Sequence, residues 1–366
     1  MKILTLALST LLISSIACFA ENNERKESQA FKVGTTLPLT GAFAEYGEAI
    51  HNGMQLAIEQ QAKSSKQISF IFEDDSYQPK KGLIAFDKLR TQDNVDLIFA
   101  WGIEPVRAVG VAAERAKFPV IAGSLDPRAS QKRKYVIGAF SPYKTYSCDL
   151  MKEMSAQALL KLGYIKSEVS LFEGLLEAAK QCLQPGQTIA EINHFIPSDN
   201  DFKAAIAKMK RMDLDAFGIY LTTPQLLTFF KQAQTQKFRT TYFGPTLFYD
   251  RQLIENFPDL LSGAYLTHNI ASLEFTQKYI AKFNNDTHLG YAAHAYEIAN
   301  MLIEKFYNKS NLPVNDILQI LTHDTAPRES AAGRYNITKH KQGGHYFSFP
   351  PGVYQISHSG TYQLKN

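Results

Sequence analysis

The feature that most constrains the fold is a repeated alternation. From Phe31 onward, short runs rich in β-formers take turns with segments whose apolar residues recur every three or four positions. "FKVGTTL" and "ISFIFED" read as strands, and between them Ile50, Met54, Ala57 and Ile58 mark a helix. "PKKGLIAFDKLR" reads as the next helix, with Pro79 suited to its first turn. "VDLIFAW", a helix from Pro105 to Lys117, and "FPVIAG" follow. The pattern resumes with "EVSLF" before a helix at Leu175–Leu183, "TIAEINHFI" before "DFKAAIAKMKRM", and "DAFGIYL" before "PQLLTFFKQAQ". It continues with "TTYFG" before a further helix, and with "GAYLTHN" before "EFTQKYIAKF". Alternation of this kind predicts parallel sheets covered by helices on both faces. There are too many strands for one small sheet, so a chain of 366 residues is expected to form an α/β fold of two lobes. The helical stretch Tyr291–Tyr307 departs from the alternation, as does "GVYQISHSGTYQL", which reads as a hairpin turning at Ser359 and Gly360.

The first twenty residues have the layout of a secretory signal peptide: one lysine, an apolar run from Ile3 to Ile16, then small residues up to Ala20. A second reading makes Cys18 the lipidated terminus of a lipoprotein. Either way the chain is expected to be exported, with residues 21–30 as a flexible lead-in. Cys148 and Cys182 then remain, both in predicted helices, and an even pair in an exported protein allows a disulfide. Two separate buried thiols is the other reading.

A formal net charge of +4 without a basic stripe speaks against nucleic acid as a partner. Nucleophile-elbow, zinc-helix, phosphate-loop and dinucleotide motifs are all missing, so an enzyme is not expected. No metal or cofactor is called for. Glu73–Asp75 in "EDDSY" reads as a solvated strand end, and "HKQGGH", His340–His345, as a glycine-bearing turn. In open α/β sheets ligands bind beyond the carboxyl ends of strands. That rule selects the loops after Leu37, Trp101, Ala122, Leu221 and Gly244, and the first of them carries Tyr46 between Gly41 and Gly47.

Several segments, taken in order, carry a family resemblance. "FKVGTTLPLTGAFAEYGEAIHNGMQLAIEQ", "FEDDSYQPKKGLIAFDKL", "PSDNDFKAAIAKMKRMDLDAF", "YAAHAYEIANML" and "PGVYQISHSGTYQ" resemble type I periplasmic solute-binding proteins, nearest the leucine/isoleucine/valine-binding branch of ABC transporters. The resemblance implies two Rossmann-like lobes joined by three crossings that close on a ligand. Lobe one would hold residues 31–141 and 267–346, and lobe two residues 142–266 and 347–366. It further implies a periplasmic monomer that serves an ABC permease, or else a sensing module acting with a membrane receptor.

Carried over residue by residue, Tyr46 and Tyr296 match wall tyrosines of the amino-acid pocket. Glu104 and Asp126 fall near the hydroxyls that hold the ligand carboxylate, in "AWGIEPV" and "AGSLDPRAS", with Trp101, Gly102 and Ser124 beside them. Thr246 replaces the glutamate that pairs with the ligand ammonium. Thr222 and Phe172 complete the expected set. Carboxylates beside a bound carboxylate repel it, and the lost glutamate removes a charge-assisted bond. The expected ligand is therefore a small polar or aromatic molecule other than a free amino acid, with Trp101 able to stack on it; the other reading turns Glu104 and Asp126 outward and leaves the pocket to backbone groups.

Overall fold

The computed structural model describes residues 30–61 and 68–365. The expected signal peptide, Cys18 and nearly all of the expected lead-in fall outside the described residues.

Two seven-stranded sheets form the molecule. The first contains β1 (Phe31–Leu37), β2 (Ile68–Asp74), β3 (Leu97–Trp101), β4 (Val120–Gly123) and β5 (Val136–Gly138), with β11 (Asn336–Lys339) and β12 (His345–Ser348), in the order β11-β12-β5-β4-β3-β1-β2. All neighbours pair parallel except β11 with β12. The second contains β6 (Lys161–Ser167), β7 (Thr188–Phe195), β8 (Ala216–Tyr220), β9 (Thr241–Gly244), β10 (Tyr265–Asn269), β13 (Pro351–Ile356) and β14 (Tyr362–Leu364), in the order β14-β13-β10-β9-β8-β6-β7. Its last two strands form the antiparallel closing hairpin.

Strand alternation sets the layers. In β3, Leu97, Phe99 and Trp101 face one core, while Ile98 and Ala100 face another. The first core is shared by α1 (Ala44–Gln61) and α11 (Leu289–Phe306), the second by α2 (Pro79–Thr91) and α3 (Ile103–Ala116). The second sheet is covered likewise. Helices α4 (Tyr143–Ala156) and α5 (Ser170–Lys180) lie over one face, α6 (Lys203–Met209) and α7 (Thr223–Thr235) over the other. Among the described residues no helix is long and apolar enough to cross a membrane.

The chain passes between the sheets three times: after β5, after β10, and between β12 and β13. The crossings are tied together. Ser141 Oγ donates to the Phe349 carbonyl at 2.6 Å, and the Tyr146 hydroxyl donates to Asn269 Oδ1 at 2.6 Å. The first boundary drawn from sequence, at Ser141, lies in a crossing. Leu266 and Tyr346 lie within β10 and β12, so the sheets change a few residues further on.

Two local readings need correction. "EVSLF" is not a strand: α5 begins at Ser170, and the strand before it is "KLGYIKS". Its polar ends hid it, since Lys166 is buried by pairing with Glu173 of α5, with Glu191 of β7 at 3.9 Å. Cys182 lies just past α5 rather than inside a helix, where it forms a disulfide with Cys148 of α4, the Cα atoms 4.9 Å apart.

Candidate functional site

Strand-end loops of the first sheet converge on a cavity of about 70 Å³. The β1–α1 loop and the start of α1 supply Phe43 and Tyr46, and the loop after β2 supplies Tyr77. The β3–α3 junction gives Trp101, Gly102 and Ile103, and the loop after β4 gives Ser124 and Leu125. Phe140 of the first crossing and Tyr291 of α11 complete that side. The second sheet closes the cavity with Leu171 of α5 and with Thr246 and Leu247 beyond β9.

The walls are rings in contact. Trp101 lies near-parallel to Tyr46 at 5.7 Å and meets Tyr291 edge-on at 5.8 Å. Tyr291 also meets Tyr46 edge-on at 5.3 Å, and Phe43 stacks on Tyr77 at 4.1 Å. Gly102, at φ +106°, is required here: a Cβ would lie 2.6 Å from the Tyr77 ring. Behind Tyr46, on the side away from the cavity, the His288 ring stacks at 3.8 Å.

Among the described residues, none with an ionised side chain lines the cavity. Burial, then the neighbouring Tyr291 and Asp250, hold the Tyr46 phenol well above its ordinary range. Burial pushes Tyr291 up to about 12 and brings His288 down to about 4, so both are neutral at pH 7.

Of the residues singled out from sequence, Tyr46, Trp101, Gly102, Ser124 and Thr246 meet at this cavity. The others do not. Glu104 sits in the first turn of α3 and does not line the cavity; beside it the Tyr77 hydroxyl accepts from the Ile103 amide at 3.2 Å. Asp126 is buried, but Arg128 binds it through Nε at 2.9 Å and Nη2 at 2.7 Å, with Arg107 Nη2 at 3.3 Å. Burial alone would raise its carboxyl; the arginines outweigh that and hold it below the usual range. Phe172 packs in the second lobe's core, and its neighbour Leu171 reaches the cavity. The Thr222 backbone N–H donates to Gln225 Oε1 at the start of α7. Tyr296 lies five residues beyond Tyr291, about 140° around the helix, and its hydroxyl donates to Gln60 Oε1 at 2.6 Å.

Sequence reasoning missed Phe43, Tyr77, Phe140 and Tyr291. Tyr77 follows a strand end, since β2 closes at Asp74 within "EDDSY", and that position is its sequence signal. Asp74 of that segment accepts from the Leu39 and Thr40 amides and from the Thr40 hydroxyl, shaping the β1 loop.

A larger hollow of about 830 Å³ lies beside His288, lined by Glu45, Asp250, Arg251, Glu255 and Asp286 among others. Arg251 there pairs with Glu255 and Asp286 at 2.8 Å each. The smaller cavity is the site candidate, because strand-end loops from the first sheet meet at it and the second sheet closes it.

A family model described as periplasmic binding protein matches residues 30–306. The chain belongs to that family. Leu/Ile/Val-binding protein BraC3 of Rhizobium johnstonii is 27% identical over 204 residues, which is 51% of this chain and 54% of that protein. The chain spans about half the length of the curated relatives it matches, from 50% to 62%. Among solved structures, the branched-chain amino acid transporter substrate-binding protein LivJ of Streptococcus pneumoniae, in complex with isoleucine, superposes with a TM-score of 0.78. It is 18% identical, and the match covers 92% of this chain and 99% of that one. An ABC transporter solute-binding protein of R. palustris in complex with benzoate gives a TM-score of 0.74 at 17% identity, covering 92% and 95%. The two-lobed periplasmic binding protein fold implied by the sequence resemblance is therefore present.

Proposed function

We propose that this protein is an exported solute-binding component of an ABC importer, which closes two lobes on a small aromatic ligand and presents it to a permease. The observation that carries the reading is the ring-walled, uncharged cavity between the two sheets. A zwitterionic amino acid would lose water from both charges there without meeting a charged partner, at a cost of several kcal/mol per ion. A planar ring instead gains stacking and edge contacts against Trp101, Tyr46 and Tyr291. The relatives' ligands, isoleucine in one complex and benzoate in another, mark the two alternatives that the cavity chemistry separates.

The three crossings, tied by Ser141–Phe349 and Tyr146–Asn269, act as the hinge about which the lobes close. The test is calorimetry and thermal shift with benzoate, other one-ring compounds, leucine and isoleucine. A ring compound at 100 times its dissociation constant is expected to add about 2.7 kcal/mol of stability. It should also shift the emission of Trp101, the chain's one tryptophan. Tight binding of leucine with no response to ring compounds would overturn the reading. Loss of ring-compound uptake on deleting the partner permease tests the transport half.

A further inference from the structure

His268, near the end of β10, is 2% exposed and does not line the cavity. Its ring stacks on Tyr249 at 4.1 Å and meets Tyr291 edge-on at 5.8 Å. Nδ1 shares a hydrogen bond with Thr246 Oγ1, and Nε2 is buried without a partner. Burial, with His288 and His294 nearby, keeps this imidazole neutral, so it holds one proton to place on one of two nitrogens.

The two placements differ in what Thr246 offers. With the proton on Nε2, a buried N–H donor is left orphaned and Thr246 spends its own proton on Nδ1. With the proton on Nδ1, the ring donates to Thr246, and only a bare lone pair is orphaned at Nε2. Orphaned N–H groups are the rarer of the two in folded proteins. The second arrangement is therefore favoured, and it leaves the Thr246 proton free. One observation agrees: on the facing lobe, Ser124 Oγ accepts from the Asp126 amide at 3.2 Å, so its proton is likewise available. The cavity thus presents hydroxyl donors from both lobes and lacks a lining carboxylate. Helices α3 and α5 begin at it, at Ile103 and beside Leu171, placing their positive ends toward bound negative charge.

We propose that His268 is a positioning residue that fixes Thr246 as a proton donor, so that the site selects small aromatic acids whose carboxylate accepts from Thr246. This rests on the aromatic reading above and gives it a charge and a polarity.

The test begins with unliganded wild-type protein: 15N–1H correlation of the imidazole rings, where His268 is expected to carry its proton on Nδ1. A proton on Nε2 overturns the proposal. Calorimetry then compares benzoate, benzamide and benzylamine. Benzoate is expected to bind most tightly. Benzylamine binding better than benzoate, or benzamide binding as well, overturns the acid while leaving the aromatic site standing. Failure of all three overturns the aromatic reading and this proposal together. His268→Phe keeps the stack on Tyr249 but loses the bond to Thr246, and is expected to weaken benzoate about tenfold or more. His268→Asn, whose amide N–H stands near the Nδ1 position, should restore affinity to within a few-fold. Equal loss in both variants would mark a merely structural role and overturn the proposal.

Discussion

A Cβ on Gly47 would lie 2.1 Å from the Pro38 carbonyl oxygen. The first turn of α1 packs directly onto the backbone leaving β1, and the residue before Gly47 is Tyr46 of the cavity wall. Backbone cannot swing aside as a side chain can. Gly47→Ala should therefore destabilise the protein by about 1–3 kcal/mol. It should also weaken ring-compound binding, because the helix start that aims Tyr46 has to shift. A thermal scan with a calorimetric titration checks both. A variant as stable and as competent as wild type would show that the contact relaxes freely.

Ser141 is fully buried, and its hydroxyl donates to the Phe349 carbonyl across two crossings. Ser141→Ala leaves that carbonyl without this donor, at a cost of roughly 1–3 kcal/mol. The loss is expected in the melting temperature and in faster amide exchange of residues flanking both crossings. Exchange unchanged at Phe349 and Gly352, the amides on either side of Pro350 and Pro351, would disconnect this bond from the hinge.

What was legible in the sequence, and what was not, follows physical lines. Strands with apolar runs were readable because burial on both faces leaves no room for polar residues. "KLGYIKS" was not, since its lysine is made burial-compatible by a glutamate on the next helix. Tyr46, Trp101, Ser124 and Thr246 line the cavity as residues at or just beyond strand ends, which are positions along the chain that sequence reports well. Tyr291 was missed in favour of Tyr296 because the two differ by helix face, which depends on what packs against each side. Asp126 does not line the cavity, and its neutralising partners show why sequence alone does not place it: Arg128 is two residues away, but only the fold brings Arg107 to it.

The Cys148–Cys182 disulfide closes a separation of 34 residues and fastens α4 to the end of α5. A crosslink of that span is worth about 2–4 kcal/mol in the chain-entropy account. Reductant should lower the melting temperature of the second lobe, and a double Cys→Ser variant should show the lower value with no further response to reductant. A wild-type transition indifferent to reductant would remove the stabilising role.

Asp75, following β2, has no solvent exposure, so the reading of Glu73–Asp75 as a solvated strand end fails at its last residue. Its Oδ1 accepts from the Tyr77 amide at 2.8 Å, and its Oδ2 has no partner. Burial, aided by the neighbouring Asp74 charge, raises its carboxyl to about 6 against an ordinary value of 3.8, despite the Tyr77 bond. Between those values the folded protein holds a proton that the unfolded chain has released. Stability from this group is thus fully present below about pH 4, falls as pH rises to about 6, and stays low above it. Two pKa units correspond to roughly 2–3 kcal/mol. Asp75→Asn keeps the acceptor for the Tyr77 amide and removes the charge. The stability difference, variant minus wild type, is expected to rise by about that amount between pH 4 and pH 7.5, which cancels contributions from other titrating groups such as Asp126. Denaturant unfolding at a series of pH values measures it. A flat difference would place the Asp75 carboxyl in a solvated setting and contradict its burial beneath Tyr77.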